Sequence, residues 1–509
     1  MTKHPRKAMW LSFACGFASL SIEILWVRLY GFAHRSTPAG FGFVLAAYLL
    51  GIALGAYVGS GACKRLAGQQ LWQRSAQALL LSSVATLTLP LLFGWTIRRQ
   101  FDSVLSDMVM IAISSALLAY VFPIAHHLGA DAHRGDRQGR RFASVYMANV
   151  MGAALGPLVT GYVLLETLTL QQCFAVLSGL QAVIGAVLLA SVSSSHRRAL
   201  QTCIAGLVGL GALALLILGK PHALIDSVSK ASGPLRTVVE NRHGIVTIAE
   251  GEGSDDIVYG GNVYDGRTNI DLLRNTNGIH RVALLSALQP KPRRVLMVGL
   301  SIGSWLALAR NFPGVEQIDV IEINPGYLDA VGSYQPQADA LSDPRVRIHI
   351  DDARRWLRAN PHNRYDLVIM NTTWHWRANS TLLLSRESLQ LIKKHMDQGA
   401  VMAFNTTSSP DAFHTATDVF AHAYRFGNFV YGADFDFRAR KDAVGPEHFL
   451  RASGRQSEPP TATQRQRVEQ LFRTRFVTID EVRALAGRPL ETVTDLNMIT
   501  EFKHGKAEY

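Results

Sequence analysis

Along the first 219 residues apolar side chains come in long stretches with few charges, and beyond them in short runs broken by polar turns. Seven stretches reach the roughly 20 residues that a helix needs to cross a bilayer: 8–32, 41–62, 75–97, 106–126, 143–167, 172–192 and 200–219. The first is too long for the core of a signal peptide, and no small-residue cleavage pattern closes it, so it is expected to be a membrane-spanning helix. In the second, Gly51, Gly55 and Gly59 recur every four residues. That spacing bares one helix face and predicts a close neighbour. Gly152, Gly156 and Pro157 predict a second close contact, with a kink, in the fifth stretch.

After a polar linker at 220–240, the pattern changes to "GIVTIAE" and "DIVYGGNVYDG", two β-like runs punctuated by Gly and Asp. An amphipathic stretch follows at 277–289. Five apolar strands then alternate with helical runs: "RVLMVGL", "QIDVIEI", "VRIHIDD", "YDLVIMNT" and "GAVMAFNT", with helices expected at 303–311, 353–359 and 385–396. Such alternation predicts a doubly wound, mostly parallel sheet. The expected fold is therefore a membrane all-α bundle of about seven transmembrane helices fused to an α/β, Rossmann-like half with a small antiparallel β module before it. The boundaries are 1–219 for the bundle, 220–285 for linker and β module, 286–450 for the Rossmann-like domain and 451–509 for a C-terminal extension.

Charge changes this picture little. The net charge is +12, and much of the excess lies in short loops between apolar stretches. Nucleic acid is therefore not expected as a partner; a lipid bilayer is. Lys64, Arg65, Arg74, Arg140, Arg141 and their neighbours fall on one side, against Arg35, Arg98 and Arg99 on the other. With the N-terminus cytoplasmic this obeys the positive-inside rule, and seven crossings then place residues 220–509 outside the cytoplasm. Glu23 and Arg28 lie inside the first stretch, five residues apart, which is not one helix face. They are expected to be structural rather than part of a transport path. All four cysteines lie in or beside apolar stretches, and no ligand spacing suggests a metal.

The candidate chemistry sits at the strand ends, where ligands bind on such sheets. In "VGLSIGSW", Gly299 and Gly303 allow a backbone to approach a nucleoside. Glu322 lies about 20 residues further on, the spacing of an acid that binds ribose hydroxyls. Asp351 and Asp352 end the third strand. One of them is expected to cap the next helix and the other to bind. Asn371 ends the fourth.

These residues resemble the spermidine and spermine synthases, the polyamine aminopropyltransferases, and more closely a membrane-fused bacterial branch of that family. The resemblance is carried by "YGGNVYDG", "VLMVGLSIGSWLALARNFPGVEQIDVIEINP", "IHIDDARRWL" and "YDLVIMNTT". It is carried also by "TDLNMITEF" (494–502) and by "FASLSIEILWVRLYGF" in the first helix. It implies S-adenosylmethionine or its decarboxylated form as donor substrate, with Asp352 on the adenine amino group. It also implies a bacterial inner-membrane location and self-association as a dimer. Because adenosyl donors are cytoplasmic, the side of the soluble half stays open against the charge rule.

Two positions depart from the pattern. Ile302 stands where the family has an acid for the aminopropyl arm, and Asn371 where it has the catalytic acid. An amide is a poor proton acceptor. Adenosyl binding is thus expected to persist while transfer to a typical polyamine is altered or lost. Candidate acceptor-facing residues are Asn371, His375 and Asp265. His375 is either a replacement base or part of a Trp-flanked packing loop. Asp265 and Tyr259 either line a groove or are hairpin residues, and His280 is expected on a helix surface. The chain is then a transferase or sulfonium-cleaving enzyme with an unknown small-molecule acceptor. The alternatives are a degenerate binding domain coupled to the bundle, or a transporter with a regulatory domain.

Overall fold

The computed structural model describes the chain except residues 1–4, 131–136, 193–199, 254, 373, 455–458, 505–509 and scattered positions between 201 and 218. The chain forms two compact units: residues 1–230 with 240–242, and residues 231–239 with 243–509.

In the first unit the long helices are α1 (Pro5–Ala33), α2 (Pro38–Arg65), α3 (Gly68–Arg99), α4 (Val104–Ala130), α5 (Arg137–Val159) and α6 (Leu170–Val192). Among the described residues six helices are long and apolar enough to cross a membrane, and they coincide with the first six expected stretches. The 28 residues of α2 rise about 42 Å, more than the hydrocarbon thickness of a bilayer. The seventh stretch, 200–219, falls largely outside the described residues.

The glycine faces do what their spacing implies. A Cβ on Gly51, Gly55 or Gly59 would lie 2.1–2.2 Å from α4 atoms, including the carbonyls of Ala112, Ala116 and Tyr120. Gly152 and Gly156 meet the carbonyls of Phe13 and Phe17 of α1 in the same way. Beyond Pro157, which lacks an N–H for the helix ladder, α5 widens into a π turn at Thr160–Leu164. Arg28 donates to the main-chain carbonyls of Asn241 and Arg242. Because the atom facing Gly55 is backbone, Gly55→Val is expected to force α2 and α4 apart and destabilise the first unit by about 1–3 kcal/mol or more. Thermal unfolding of the detergent-solubilised chain, followed by circular dichroism, checks this.

The second unit contains two sheets. Strands β1 (Leu235–Asn241), β2 (Gly244–Ala249), β3 (Ile257–Gly260) and β4 (Val263–Arg267) form a four-stranded sheet in that order, with β2–β3 and β3–β4 antiparallel. The larger sheet is built from β5 (Arg294–Val298), β6 (Gln317–Glu322), β7 (Val346–Ile350), β8 (Tyr365–Met370), β9 (Met396–Asn405), β10 (His422–Phe426) and β11 (Phe429–Ala433). Its order is β10-β11-β9-β8-β5-β6-β7. The five expected strands are parallel, and the hairpin β10–β11 joins antiparallel to β9, making a mixed Rossmann-like sheet.

Both faces of this sheet are covered, as a near-continuous apolar strand demands. Val295 and Met297 point to a core shared with Leu284, Leu285 and Val246, Ile248 and Val258 of the small sheet. Leu296 and Val298 point to the opposite core with Val368, Met370, Phe404 and Phe413. The small sheet is therefore packed onto the Rossmann-like sheet rather than standing apart.

Candidate functional site

Chain reversal places the site between β5 and β8, the neighbouring strands from which the sheet grows in opposite directions. Their carboxyl ends, with β4 of the small sheet, frame a cavity of about 120 Å3. Its walls include Tyr264, Asp265, Leu300, Ser301, Ile302 and Asn371. This volume is small beside the roughly 300–1,000 Å3 of a whole ligand site. It has room for a small group rather than a whole ligand.

The turn after β5 has Gly299 at φ +84 and Gly303 at φ +76. A Cβ on Gly299 would come 2.7 Å from the Asn371 carbonyl. The glycine thus lets the two strand ends close on each other, and Leu300–Ile302 between the glycines line the cavity. Ile302 is buried in the apolar core, which gives this part of the wall no charge.

Glu322 is buried, and its carboxylate ties the crest together. Oε2 accepts from the Leu300 N–H at 2.7 Å and Oε1 from the Asn324 N–H at 2.8 Å. The Ser301 N–H bonds the same carboxylate as a third backbone donor. Burial pushes its carboxyl up to about 7, against the pull of these backbone donors. Because the folded value is raised, protonated Glu322 stabilises the fold at low pH, and that contribution is lost as pH rises through about 7. The chain is expected to lose up to about 3 kcal/mol of stability between pH 4.5 and 8 from this group. Glu322→Gln is expected to flatten that slope, read from tryptophan-monitored unfolding across the pH range.

Asp352 is the helix-capping member of its pair: Oδ1 accepts from the Arg355 N–H at 2.8 Å at the start of the helix Ala353–Ala359. It remains exposed at the strand end. Asp351 is held by Arg355 at 2.6 Å. Glu322 is paired with Ile350 across β6–β7, and the crest there carries two exposed apolar side chains, Ile323 at 59% and Ile350 at 42%. That is an unusual exposure for isoleucines at strand ends, and it offers flat apolar contact beside the two acids.

Asp265 and Asn371 face the same cavity. Asp265 is the one carboxylate among the described wall residues. It accepts from the Tyr327 hydroxyl at 2.6 Å, and burial raises its carboxyl above the usual range while Tyr327, Ser301 and Arg377 pull it back. His375 is not a wall residue. It is buried behind the wall, with its main-chain N–H and its Nδ1 both on Thr407 Oγ1 at 3.0 and 2.9 Å, and burial lowers its imidazole from the ordinary value. Tyr259 lies within the small sheet, outside the wall. His280 is not on a helix surface as expected. It is packed between Phe426 and Phe472, and burial holds it down at about 4, because the two aromatic rings replace its solvent.

The wall residues not anticipated are Arg281, Asn277, Asn405, Asn428, Trp305 and Ser408. One signal for them stood in the sequence: the adjacent strands β8 and β9 both end in Asn-Thr-Thr, which brings Asn371 and Asn405 to the same crest. Thr372 Oγ1 donates to the Asn405 carbonyl and locks the two ends together.

The C-terminal motif 494–502 fixes the loop that follows Asn371. Glu501 accepts from the Asn379 and Thr381 N–H groups at 2.9 and 2.8 Å, and Asp495 binds Arg354 and the Ser385 hydroxyl. Glu501→Gln keeps one acceptor and turns a donor on the other N–H. It is expected to cost about 1–3 kcal/mol and to expose the 374–380 loop to limited proteolysis.

Residues 276–420 match the spermine/spermidine synthase domain. The chain carries a spermine/spermidine synthase domain. Across 453 aligned residues the chain is 28% identical to a polyamine aminopropyltransferase 2 of Streptomyces coelicolor, covering 82% of this chain and 78% of that protein. This is more of the chain than the synthase-bearing unit contains, so the likeness extends into the helical unit. A polyamine aminopropyltransferase of Alkaliphilus oremlandii is 35% identical over 88 residues, 17% of this chain and 31% of that protein. Among solved structures, a spermidine synthase in complex with the transition-state analogue AdoDATO covers 50% of this chain and 88% of its own, with 16% identity and a TM-score of 0.41. A spermidine synthase from Thermotoga maritima has 17% identity, coverage of 50% and 87%, and a TM-score of 0.39. Among the described residues of the synthase domain and the rest of the chain, no three His, Cys, Asp or Glu side chains converge as metal ligands.

Proposed function

We propose that the protein is a membrane-bound transferase that binds S-adenosylmethionine or decarboxylated S-adenosylmethionine and acts on an acceptor other than a typical polyamine. The observation that carries this reading is the composition of the cavity at the β5–β8 crest. It has a single carboxylate, Asp265, with Ile302 and Asn371 at the positions where a polyamine enzyme is expected to present acids. A polycation has little to bind there.

In this reading the adenosine lies along the crest. Glu322 receives a ribose hydroxyl on the carboxylate position its three backbone donors leave open, Asp352 the adenine amino group, and Ile323 and Ile350 the ring faces. The sulfonium then sits at the cavity mouth. The acceptor's lone pair forms the new bond to the carbon attached to sulfur, the C–S bond breaks, and its electron pair stays on sulfur in the departing thioether. The acceptor's proton passes to Asp265, whose raised carboxyl suits it as a base. The sulfonium is already a good leaving group, so placement of the two reacting atoms supplies most of the catalysis. When no acceptor enters, a lone pair of the arm's own amine or carboxylate closes a ring at the same carbon, and the C–S bond breaks with its electron pair left on sulfur.

The six long apolar helices support an integral membrane protein, and the resemblance supports a bacterial inner membrane with self-association as a dimer. Full-length protein in detergent, given donor labelled on its transferable arm, tests the reading. Release of labelled product together with methylthioadenosine is expected. Donor binding with no bond cleavage would favour a domain that only binds, and no donor binding would overturn the assignment.

A further inference from the structure

The cavity wall carries a cation that no carboxylate neutralises. Arg281 donates from Nε to the Gly278 carbonyl at 2.7 Å, from Nη2 to the Asn277 carbonyl at 3.1 Å and from Nη1 to Asn428 Oδ1, and its guanidinium lies 4.6 Å above the Phe429 ring. All three acceptors are neutral, and among the described residues no acid contributes to its electrostatics. The one acid on the wall, Asp265, is held by Tyr327 and already faces the charge of Arg377. A guanidinium removed from water without a counter-ion is costly to keep, by several kcal/mol. The fork uses three of its five N–H groups, so two remain for a ligand.

The rest of the wall points the same way. The Asn371 amide and the Ser408 hydroxyl line the cavity and have no protein partner among the described residues. Ser301, Thr407 and Ser408 hold left-handed backbone at φ +50, +48 and +70, costing about 1–2 kcal/mol each for residues with a Cβ. Such strain gathers where a binding surface is being shaped.

We propose that Arg281, Asn371 and Ser408 form a carboxylate-binding subsite, so that a substrate entering this cavity carries a carboxylate. The guanidinium fork takes the two oxygens, and the amide and hydroxyl supply further donors. The proposal rests on the transferase reading above for the identity of the cavity. The carboxylate has two sources: a donor that retains its amino-acid carboxylate, or an amino-acid acceptor.

Calorimetry on the full-length protein separates them. In one arm S-adenosylmethionine is compared with its decarboxylated form. In the other, with methylthioadenosine bound, 4-aminobutyrate is compared with 1,4-diaminobutane, which differs only in having an amine at the second end. A preference of tenfold or more for the carboxylate form in the first arm assigns the donor, and in the second the acceptor. Arg281→Gln is expected to abolish the preference and Arg281→Lys to weaken it about tenfold, with methylthioadenosine affinity as the folding control. If the variants do not fold, the wild-type preferences decide alone. Methylthioadenosine binding with no carboxylate preference in either arm overturns the subsite and leaves the adenosyl site standing. Failure of methylthioadenosine to bind overturns both.

Discussion

Replacing Asp265 by Asn is expected to lower turnover by about 10²–10⁴ while changing methylthioadenosine affinity by only a few-fold. The size follows from position: Asp265 is the one carboxylate among the described wall residues, and Asn371, on the neighbouring strand end, is an amide that cannot take a proton. Burial raises the Asp265 carboxyl. Activity should therefore fall on the acid side at a pH above the usual carboxylate range, as the base becomes protonated. The variant would remove that acid limb. Single-turnover rates against pH, in wild type and variant, distinguish loss of a base from simple misfolding, because misfolding lowers thioether binding as well. Equal turnover in the two proteins would remove Asp265 from the mechanism.

The second large effect is expected at Gly299. Alanine there would place Cβ 2.7 Å from the Asn371 carbonyl, with the backbone at φ +84. The left-handed backbone costs about 1–2 kcal/mol for a residue with a Cβ, and a clash with main chain adds about 1–3 kcal/mol. Because relief means moving the end of β8, Gly299→Ala is expected both to destabilise the fold and to weaken donor binding by tenfold or more. Gly303→Ala is the control. Its backbone is equally left-handed, but the nearest atoms belong to the Gln337 side chain at 3.5 Å and beyond, so only the strain remains. Unfolding midpoints and thioether titrations on the two variants check the contrast.

The contrast also shows why the sequence revealed some of this site and not the rest. Glycine, strand-end acids and apolar runs act locally, and their spacing alone pointed to the turn after β5, to the acid ending β6 and to five parallel strands. The glycine faces of α2 and α5 were legible for the same reason. The hairpin β10–β11 was not anticipated, although "HAYRFGNFVYGA" alternates around a Gly-Asn turn. Its residues alternate less cleanly because all five positions of β11 are buried.

The wall was harder to read because its members come from distant places. Arg281 follows an irregular loop, Asn428 sits in the hairpin turn and Ser408 lies beyond β9, and only the folded sheet brings them together. His375 looked reactive between two tryptophans. Its ring is instead spent on Thr407, which sequence spacing does not reveal. Sequence spacing did not show which of the two adjacent acids caps the helix: it is Asp352, the one the resemblance assigns to adenine, while Asp351 accepts from the Asp352 N–H and pairs with Arg355.

The most direct measurement is a cryo-electron microscopy map of the full chain in lipid nanodiscs with methylthioadenosine. The account predicts the ribose hydroxyls within hydrogen-bond reach of Glu322, the adenine between Ile323 and Ile350 with its amino group toward Asp352, and the sulfur at the mouth of the cavity walled by Asp265 and Asn371. Nucleoside density elsewhere, or none at saturating ligand, would contradict it.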